Sequence, residues 1–484
     1  MKRLFGKIVF WLACLAGVFA ILIVLVYVEE DWRGAHDWAV CQRDLTARGE
    51  SLDLQQLSPL GKPEDDLSKV PIFAELYSDG AWDKARIHKL RADLNTANAS
   101  QIPKADYRKA EPVDLAAWQK FYRSEPSSNL SANSSTPAQD VLQVLGRFDP
   151  DLAEIDTAIS GPGAYFPIDY KMPYATPSSG VTSMIPVAQI LQLRGAAHLE
   201  NHETDLAEKD YLFSVRLCQP LAKGCFLVNF LVIGGVRTID DSVLWNGLRQ
   251  HAWNDAQLHE MESALASTDM LSLAVSTLRN ERGSFLKTVD VAQTVDTNIS
   301  RNLKTGRFLG LLEYSILRPI GWWDQDRVTY SLTAQKWIDG IDLNQELLHS
   351  SAFPQHPLAG YIDDNGATDT PLWIKLYTPL SAASIPSLEN DGPGFARAET
   401  YRRLARLACR LEEYRIAQGQ YPEKLDDLPD LPLHLNQEVL DNQPLHYQRR
   451  AGTYSLYSLG WRQKDDGGQF SSDPQQGNWP WPSP

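Results

Sequence analysis

The sequence predicts a mainly α-helical protein with one N-terminal transmembrane helix, a helical-repeat-like body and a small C-terminal α+β module that contains an antiparallel hairpin. Three observations predict it. An uncharged apolar run lies near the N-terminus, apolar residues recur at helical spacing through the middle of the chain, and an amphipathic helix followed by two alternating segments ends it. At 484 residues the chain has room for two or three folded units.

The N-terminal run from Ile8 to Val28 contains no charged residue. A helix of about 20 apolar residues spans the hydrocarbon core of a bilayer. Basic residues at positions 2, 3 and 7 precede the run and acidic residues at 29–31 follow it, so we expect the N-terminus in the cytoplasm and the remaining chain outside the inner (cytoplasmic) membrane. The alternative is a cleaved signal peptide, which has a shorter apolar core and a small-x-small exit.

The composition of the chain limits the kinds of molecule that it can bind. The net charge of -15 argues against nucleic acid as a partner, since proteins that bind it present a basic surface.

Shifts in composition predict five segments along the chain: a cytoplasmic tip and transmembrane helix at 1–31, an extended and helical arm at 32–123, a Ser/Asn/Pro-rich linker at 124–136, a mainly helical body at 137–390 and the α+β module at 395–484.

The body shows helical periodicity. Thr136 and Pro137 are typical of a helix start, and Leu199, Leu206 and Phe213 recur at intervals of seven. The stretch LRGAAHLENHETDLAEKDYLFSVRL resembles a tetratricopeptide-type hairpin, although no period of roughly 34 residues follows it. Within 300–390 we expect one further helix, Thr329 to Ile338, between long loops.

Cys218 and Cys225 flank the turn QPLAKG. An extracytoplasmic location permits disulfides. We expect either a local bridge between these two residues or two buried thiols that pack between helices.

The C-terminal module begins with an amphipathic helix. Leu404, Leu407 and Leu411 share one face, and Gly419 is placed to end the helix. PLHYQRR and TYSLYSLG then read as two strands of a hairpin around the residue pair Ala451-Gly452.

The same region, from EEYRIAQGQYPEKLDDL through DNQPLHY and YSLYSLGWRQKDDGG to GNWPW, resembles the C-terminal domain of the major pseudopilin of type II secretion. The resemblance covers about a fifth of the chain. It implies a small α+β fold and not a filament role, because the prepilin cleavage pattern is missing at the N-terminus. The whole chain also looks like anchored proteins of planctomycete- or verrucomicrobia-type bacteria that combine an anchor, a helical body and this tail.

In pseudopilins the acidic glycine-rich loop binds calcium. The resemblance therefore implies calcium binding by Asp465 and Asp466, with the Leu459 carbonyl nearby and Asp473 as a third ligand; calcium takes about six to eight oxygen ligands. Lys464 precedes the acids in this chain and would repel a cation. The alternative is a solvated turn.

Recognised catalytic patterns are missing from the sequence. His198 and His202 lack the glutamate that a zinc-peptidase His-Glu-x-x-His pattern requires, and no Gly-x-Ser-x-Gly or phosphate-binding loop is present. The doublets Asp240-Asp241 and Asp363-Asp364 read either as acid pairs for catalysis or as surface acids. We therefore expect no catalytic residues and no cofactor beyond calcium.

These observations favour an interaction or scaffold protein of the bacterial envelope that binds an envelope protein partner. Two alternatives stay open. One is an envelope hydrolase with a site built from scattered acids and aromatics in 300–390, and the other is an accessory protein of a secretion apparatus.

Overall fold

The computed structural model describes residues 2–58, 61–78, 84–94, 105–125, 135–294, 319–353, 380–382 and 391–483, and the single positions 102, 128, 130, 378, 384 and 385. The protein is mainly helical, with 66% helix, one long apolar N-terminal helix and a small C-terminal antiparallel sheet of three strands. The predicted fold class is confirmed. Most of the predicted linker, 124–136, lies outside the described residues.

The α-helices with defined bounds are α1 (Lys2–Ala47), α2 (Leu54–Leu57), α3 (Pro71–Ala74), α4 (Arg86–Leu94), α5 (Leu115–Ser124), α6 (Pro137–Leu145), α7 (Asp149–Ile159), α8 (Ser179–Thr182), α9 (Met184–Glu200), α10 (Thr204–Ala222), α11 (Leu227–Arg249), α12 (Asp255–Ala266), α13 (Met270–Thr294), α14 (Ile320–Asp339) and α15 (Gly392–Gln418). The predicted start of α6 is confirmed: Thr136 and Gln139 form a reciprocal capping box, and Pro137 occupies the first turn.

The strands within the described residues form two sheets. β1 (Ile341–Asp342) pairs with β2 (Leu347–Leu348), and the C-terminal sheet has the order β3 (His446–Arg450), β4 (Thr453–Ser458), β5 (Trp479–Trp481), all antiparallel. Leu456 in β4 lies opposite Tyr447 on one side and Trp481 on the other. The hairpin predicted around Ala451-Gly452 is confirmed, with a third strand added from the end of the chain.

α1 continues without a break from the apolar segment into the body, where it lies along α14. The two helices run parallel. Gly34 meets Gly321 in the first turn of α14, and Arg48 beyond the end of α1 pairs with Asp339 at the end of α14, with 3.1 Å between Nη1 and Oδ2.

Acidic side chains of α1 hold the start of α14. The Asp31 carboxylate accepts a hydrogen bond from the Gly321 amide (2.9 Å), and the Glu30 carboxylate accepts one from the Trp322 indole (2.8 Å). The amide groups of a first helical turn lack partners within the helix, so these contacts stabilise a start at Ile320. The helix predicted at Thr329–Ile338 is therefore real but begins nine residues earlier.

Just beyond the end of α1, ion pairs hold the chain to the body. The Glu50 carboxylate accepts hydrogen bonds from Arg279 (2.7 and 3.0 Å) and Arg282 (2.6 Å) of α13. The Arg282 side chain is completely buried and also donates to Gln335 of α14 (2.7 Å). One carboxylate thus joins the segment after α1 to α13, and Arg282 extends the link to α14.

α15 is the central helix of the C-terminal half. Leu404, Leu407 and Leu411 are fully buried, each worth about 2 kcal/mol of burial. The helix ends at Gly419, whose φ of 74° is a conformation that glycine adopts without strain. α15 packs on α11, α12 and α13 of the body as well as on β4 and β5, so the module and the body share one core.

Candidate functional site

A cavity of about 400 Å³ lies between α11, the first turns of α15 and the 3₁₀ turn Tyr107–Lys109. Glycine keeps it open. Gly234 of α11 and Gly394 of α15 line the cavity, and a methyl carbon added at either would meet no described atom within 4 Å. The two helices therefore leave space that larger residues would fill.

One wall of the cavity is apolar. Phe230 and Phe395 are buried and pack edge to face, with ring centroids 4.8 Å apart and planes at 86°. Met270 adds to the same lining. An apolar wall with a few convergent polar groups is typical of small-molecule sites.

The polar groups are mainly guanidinium groups, from Arg108, Arg237, Arg397 and Arg402. Two of them pair with a carboxylate close in sequence, although Glu399 is shared between Arg402 and Arg403. Arg108 donates to both oxygens of Asp106 (2.8 and 3.1 Å), and Arg402 donates to both oxygens of Glu399 (2.7 Å each). Such two-point pairs hold the guanidinium plane in place.

Arg397 has a weaker partner. Its Nη1 donates to the Ser472 carbonyl oxygen at 3.1 Å. Burial, together with the nearby positive charge of Arg108, lowers the pKa of Arg397. A lowered pKa means that the surroundings disfavour the positive charge.

Arg237 lies deeper. Its Nη1 and Nη2 are shut off from solvent and form no hydrogen bond with the residues that the structure describes. Asp240 and Asp241 follow it by three and four residues on α11, which places all three on one side of the helix. Asp240 accepts a hydrogen bond from the Ser214 hydroxyl and Asp241 one from the Tyr107 hydroxyl (3.3 Å), while the second oxygen of each carboxylate has no partner.

The acids of this region hold their protons more tightly than usual. Burial raises the pKa of Asp241 to about 6, although Arg237 opposes the rise. Burial and the charge of Glu281 raise the pKa of Asp391, which also lines the cavity, to about 7. Burial likewise places the pKa of Asp240 well above its usual range. Near neutral pH these carboxyls therefore carry less than their full negative charge.

The cavity corrects one expectation. The surface interpretation of Asp240-Asp241 is wrong, because both side chains are buried in the middle of α11. The described residues that line the cavity include no histidine, cysteine or serine, and its polar lining consists of arginines, two aspartates, Thr238 and Tyr401. The other doublet, Asp363-Asp364, lies outside the described residues, as does much of the 300–390 region proposed for a hydrolase site.

The acidic loop after β4 is organised by the carboxamide of Asn478, which is fully buried. Its Nδ2 donates to the carbonyl oxygens of Leu459 (3.0 Å) and Lys464 (2.8 Å). Its Oδ1 accepts from the amides of Asp466 and Gly468, both at 2.9 Å. The carbonyl oxygens that a cation would use thus already receive hydrogen bonds from a side chain.

The two carboxylates implied as calcium ligands also have other partners. Asp465 accepts hydrogen bonds from the Tyr457 hydroxyl (3.1 Å) and the Gly467 amide (2.8 Å), and Asp466 pairs with the Lys464 ammonium (2.9 Å). Within the described residues no three His, Cys, Asp or Glu side chains are grouped to hold a metal ion. The residues present do not fit a calcium site.

Cys218 and Cys225 are free thiols in the structure and both are buried. Cys218 lies in the last turn but one of α10, and Cys225 follows Gly224, whose φ is 63°. The Thr277 hydroxyl of α13 donates to the Cys225 sulfur at 3.3 Å. The arrangement corresponds to the alternative of two buried thiols between helices.

The His198 and His202 pair ends a helical hairpin. His198 Nδ1 lies 2.7 Å from the Glu203 carboxylate, and His202 adopts a φ of 60° beyond the end of α9.

Comparison with known proteins found no matching family model, no matching curated protein and no matching solved structure. The pseudopilin resemblance therefore stays a prediction.

Proposed function

We propose that this protein is a single-pass membrane protein with its N-terminus in the cytoplasm, and that its body binds another protein outside the membrane. The observation that supports this most directly is the continuity of α1. α1 is long and apolar enough to cross a membrane, and none of its apolar stretch is buried in the protein. The C-terminal half of α1 packs as part of the body.

A retained membrane anchor explains the packing of the C-terminal half of α1 on the body better than a cleaved signal sequence does. Cleavage after the apolar segment would create a new chain end beside Glu30 and Asp31, whose carboxylates hold the start of α14. Cys41 and Leu45, further along α1, are buried against the body. The basic residues before the apolar segment and the acidic ones after it favour the proposed orientation.

A groove of about 610 Å³ runs between α1 and α14 on the part of the body that continues from the anchor. Its floor is apolar, with Val40, Val328 and Leu332, and the Leu332 side chain is 53% exposed. Asp37 and Asp44 line it, as do Lys336 and an Arg48–Asp339 ion pair. An amphipathic helix with an apolar stripe and with basic residues placed beside Asp37 and Asp44 matches this surface, and the net charge of -15 also favours a basic partner.

Crosslinking in the native membrane tests the groove. A photo-reactive residue at Val328 should form one adduct of discrete mass, and Leu332→Glu should abolish it by placing a charge on the apolar floor. The control position is Leu433, which is 76% exposed and lies away from the groove. Absence of an adduct at Val328, or the same adduct from Leu433, would overturn the proposed partner site.

Orientation is tested separately. In cells with a permeabilised outer layer, an added protease should digest the body and leave an N-terminal tag intact. A body that resists digestion until the membrane itself is opened would place it on the other side and refute the topology.

A further inference from the structure

We propose that the cavity between α11 and α15 binds a small organic oxyanion, a molecule that carries a phosphate or carboxylate group on an apolar ring or chain. This site is separate from the groove between α1 and α14 and goes beyond the function proposed above.

The first argument is charge. Asp106 and Glu399 pair with Arg108 and Arg402, but among the described residues Arg397 contacts only a backbone carbonyl oxygen and Arg237 has two terminal nitrogens without acceptors. A buried donor without an acceptor costs about 1–3 kcal/mol, and more when it is charged. An oxyanion in the cavity offers acceptors to such groups, and guanidinium forks bind phosphate and carboxylate at two points.

Burial disfavours the charge of Arg237, but nearby Tyr211, Asp241 and Asp240 outweigh it and raise its pKa, so Arg237 stays charged while its terminal nitrogens lack hydrogen-bond acceptors among the described residues. Among the described residues Asp241 accepts a hydrogen bond from Tyr107 but none from Arg237, and Asp391 lines the cavity at the start of α15 with one oxygen that has no partner. Both carboxyls have raised pKa values, and that of Asp391, about 7, lies close enough to neutral pH for the protonated form to be present. In that state a carboxyl can donate a hydrogen bond to a ligand oxygen.

The second argument is shape. The volume of about 400 Å³ is within the range of sites for small organic ligands, roughly 300–1,000 Å³. Phe230, Phe395 and Met270 provide a surface for an apolar group beside the arginines. Inorganic phosphate alone would leave that surface unused, so we expect an organic anion to bind more tightly.

Calorimetric titration of the full chain in detergent tests the proposal with four probes: phenyl phosphate, inorganic phosphate, short-chain phosphatidic acid and uncharged benzyl alcohol. Phenyl phosphate or phosphatidic acid should bind saturably and at least about tenfold more tightly than inorganic phosphate, and benzyl alcohol should not bind. Tighter binding of phenyl phosphate would indicate a soluble ligand, and tighter binding of phosphatidic acid would indicate a lipid headgroup.

Two variants assign the site. Arg397→Gln removes the charge, and Gly234→Met fills the open space without changing charge; each should weaken binding about tenfold or more. Gly234→Met also keeps the fold intact, because methionine favours a helix more than glycine does. Arg147→Gln, which removes an arginine stacked on Phe148 away from the cavity, should bind like the unmodified chain.

Three results would overturn the proposal. They are no saturable binding of either organic anion, an affinity in Arg397→Gln or Gly234→Met that is unchanged from that of the unmodified chain, or a loss in Arg147→Gln as large as the loss in those two variants. Thermal melting without ligand, measured for each variant, separates a lost site from a lost fold.

Discussion

Gly34 in α1 and Gly321 in α14 bring their backbones into direct contact. A methyl carbon added at Gly34 would lie 2.1 Å from the Gly321 carbonyl oxygen, and one added at Gly321 would lie 1.9 Å from the Glu30 carbonyl oxygen. No side-chain rotation relieves an overlap with backbone, so the two helices approach this closely only because both positions are glycine. The contact lies where α1 passes from its apolar segment into the body.

Substitution at this crossing should therefore destabilise the protein. We expect Gly34→Ala to lower the free energy of unfolding by about 2 kcal/mol, the scale of overpacking in a core, even though alanine favours an isolated helix by about 1 kcal/mol. Chemical denaturation of the full chain in detergent measures it. Gly17→Ala, on the same helix with nothing within 4 Å, is the matched control, and an equally stable Gly34→Ala would contradict the contact.

Glu50 should be a major source of stability. Glu50→Gln leaves the fully buried Arg282 without its carboxylate, and breaking a buried ion pair costs about 3–5 kcal/mol. Denaturation of the variant measures the loss. Glu423→Gln breaks a pair between exposed Glu423 and Arg449 and should cost less than about 1 kcal/mol; similar losses in the two variants would contradict the assignment.

The same carboxylate predicts a pH dependence. Burial opposes ionisation of Glu50, but the hydrogen bonds from Arg279 and Arg282 outweigh it and hold its pKa below the usual value. Its contribution is therefore complete above the unfolded pKa of about 4.3 and is lost as the pH falls through the lower folded value. The unmodified chain should melt at a higher temperature than Glu50→Gln at neutral pH, and the difference should shrink as the pH falls to 3.

Asn478 should be essential to the acidic loop. Asn478→Ala removes four hydrogen bonds to backbone groups and should cost about 3 kcal/mol, since each buried group left unpaired is penalised. Asn436→Ala removes one exposed hydrogen bond to Asp426 and should change stability by less than about 0.5 kcal/mol. Equal stability of the two variants would show that the loop does not depend on the carboxamide.

Calcium should not stabilise this loop. Because the Asn478 carboxamide occupies the carbonyl oxygens of Leu459 and Lys464, we expect the same melting temperature in millimolar calcium and in chelator. Ligand that binds only the folded state raises the melting temperature. A calcium-dependent rise that Asp465→Asn abolishes would instead support the site implied by the resemblance.

Cys218 and Cys225 should be recovered as free thiols. Burial raises the pKa of Cys225 to about 12 and raises that of Cys218 as well, so little thiolate forms at neutral pH. Alkylation without reductant should label both residues only after unfolding, as read by peptide mass. A peptide pair that remains linked until reductant is added would establish the disulfide instead.

Local patterns in the sequence were enough for several elements. The apolar run, the Thr136-Pro137 helix start, the leucines of α15 and the hairpin around Ala451-Gly452 depend on spacing and neighbouring residues, and the structure has them as predicted. Each is determined by a few consecutive residues, which is why periodicity and capping rules find it.

The remaining features depend on residues far apart in the chain. The start of α14 at Ile320 is stabilised by Asp31, which accepts a hydrogen bond from the Gly321 amide, and the cavity brings together Arg108 and Arg397 from segments almost 300 residues apart. One signal was available in the sequence: Arg237, Asp240 and Asp241 interrupt an apolar helix at spacings that place them on one side. Three charges together on an otherwise apolar helix indicate an interior polar cluster.

The unbroken course of α1 has a mechanical consequence. Transmembrane helices adjust to bilayer thickness by tilting, and a flexible joint at the membrane surface would absorb that tilt. In the proposed topology, the part of α1 that crosses the bilayer continues without a break into the part that packs on α14, and Glu50 just beyond it is held by the body. A thinner bilayer should therefore lean the entire body toward the lipid surface, and a thicker one should raise it.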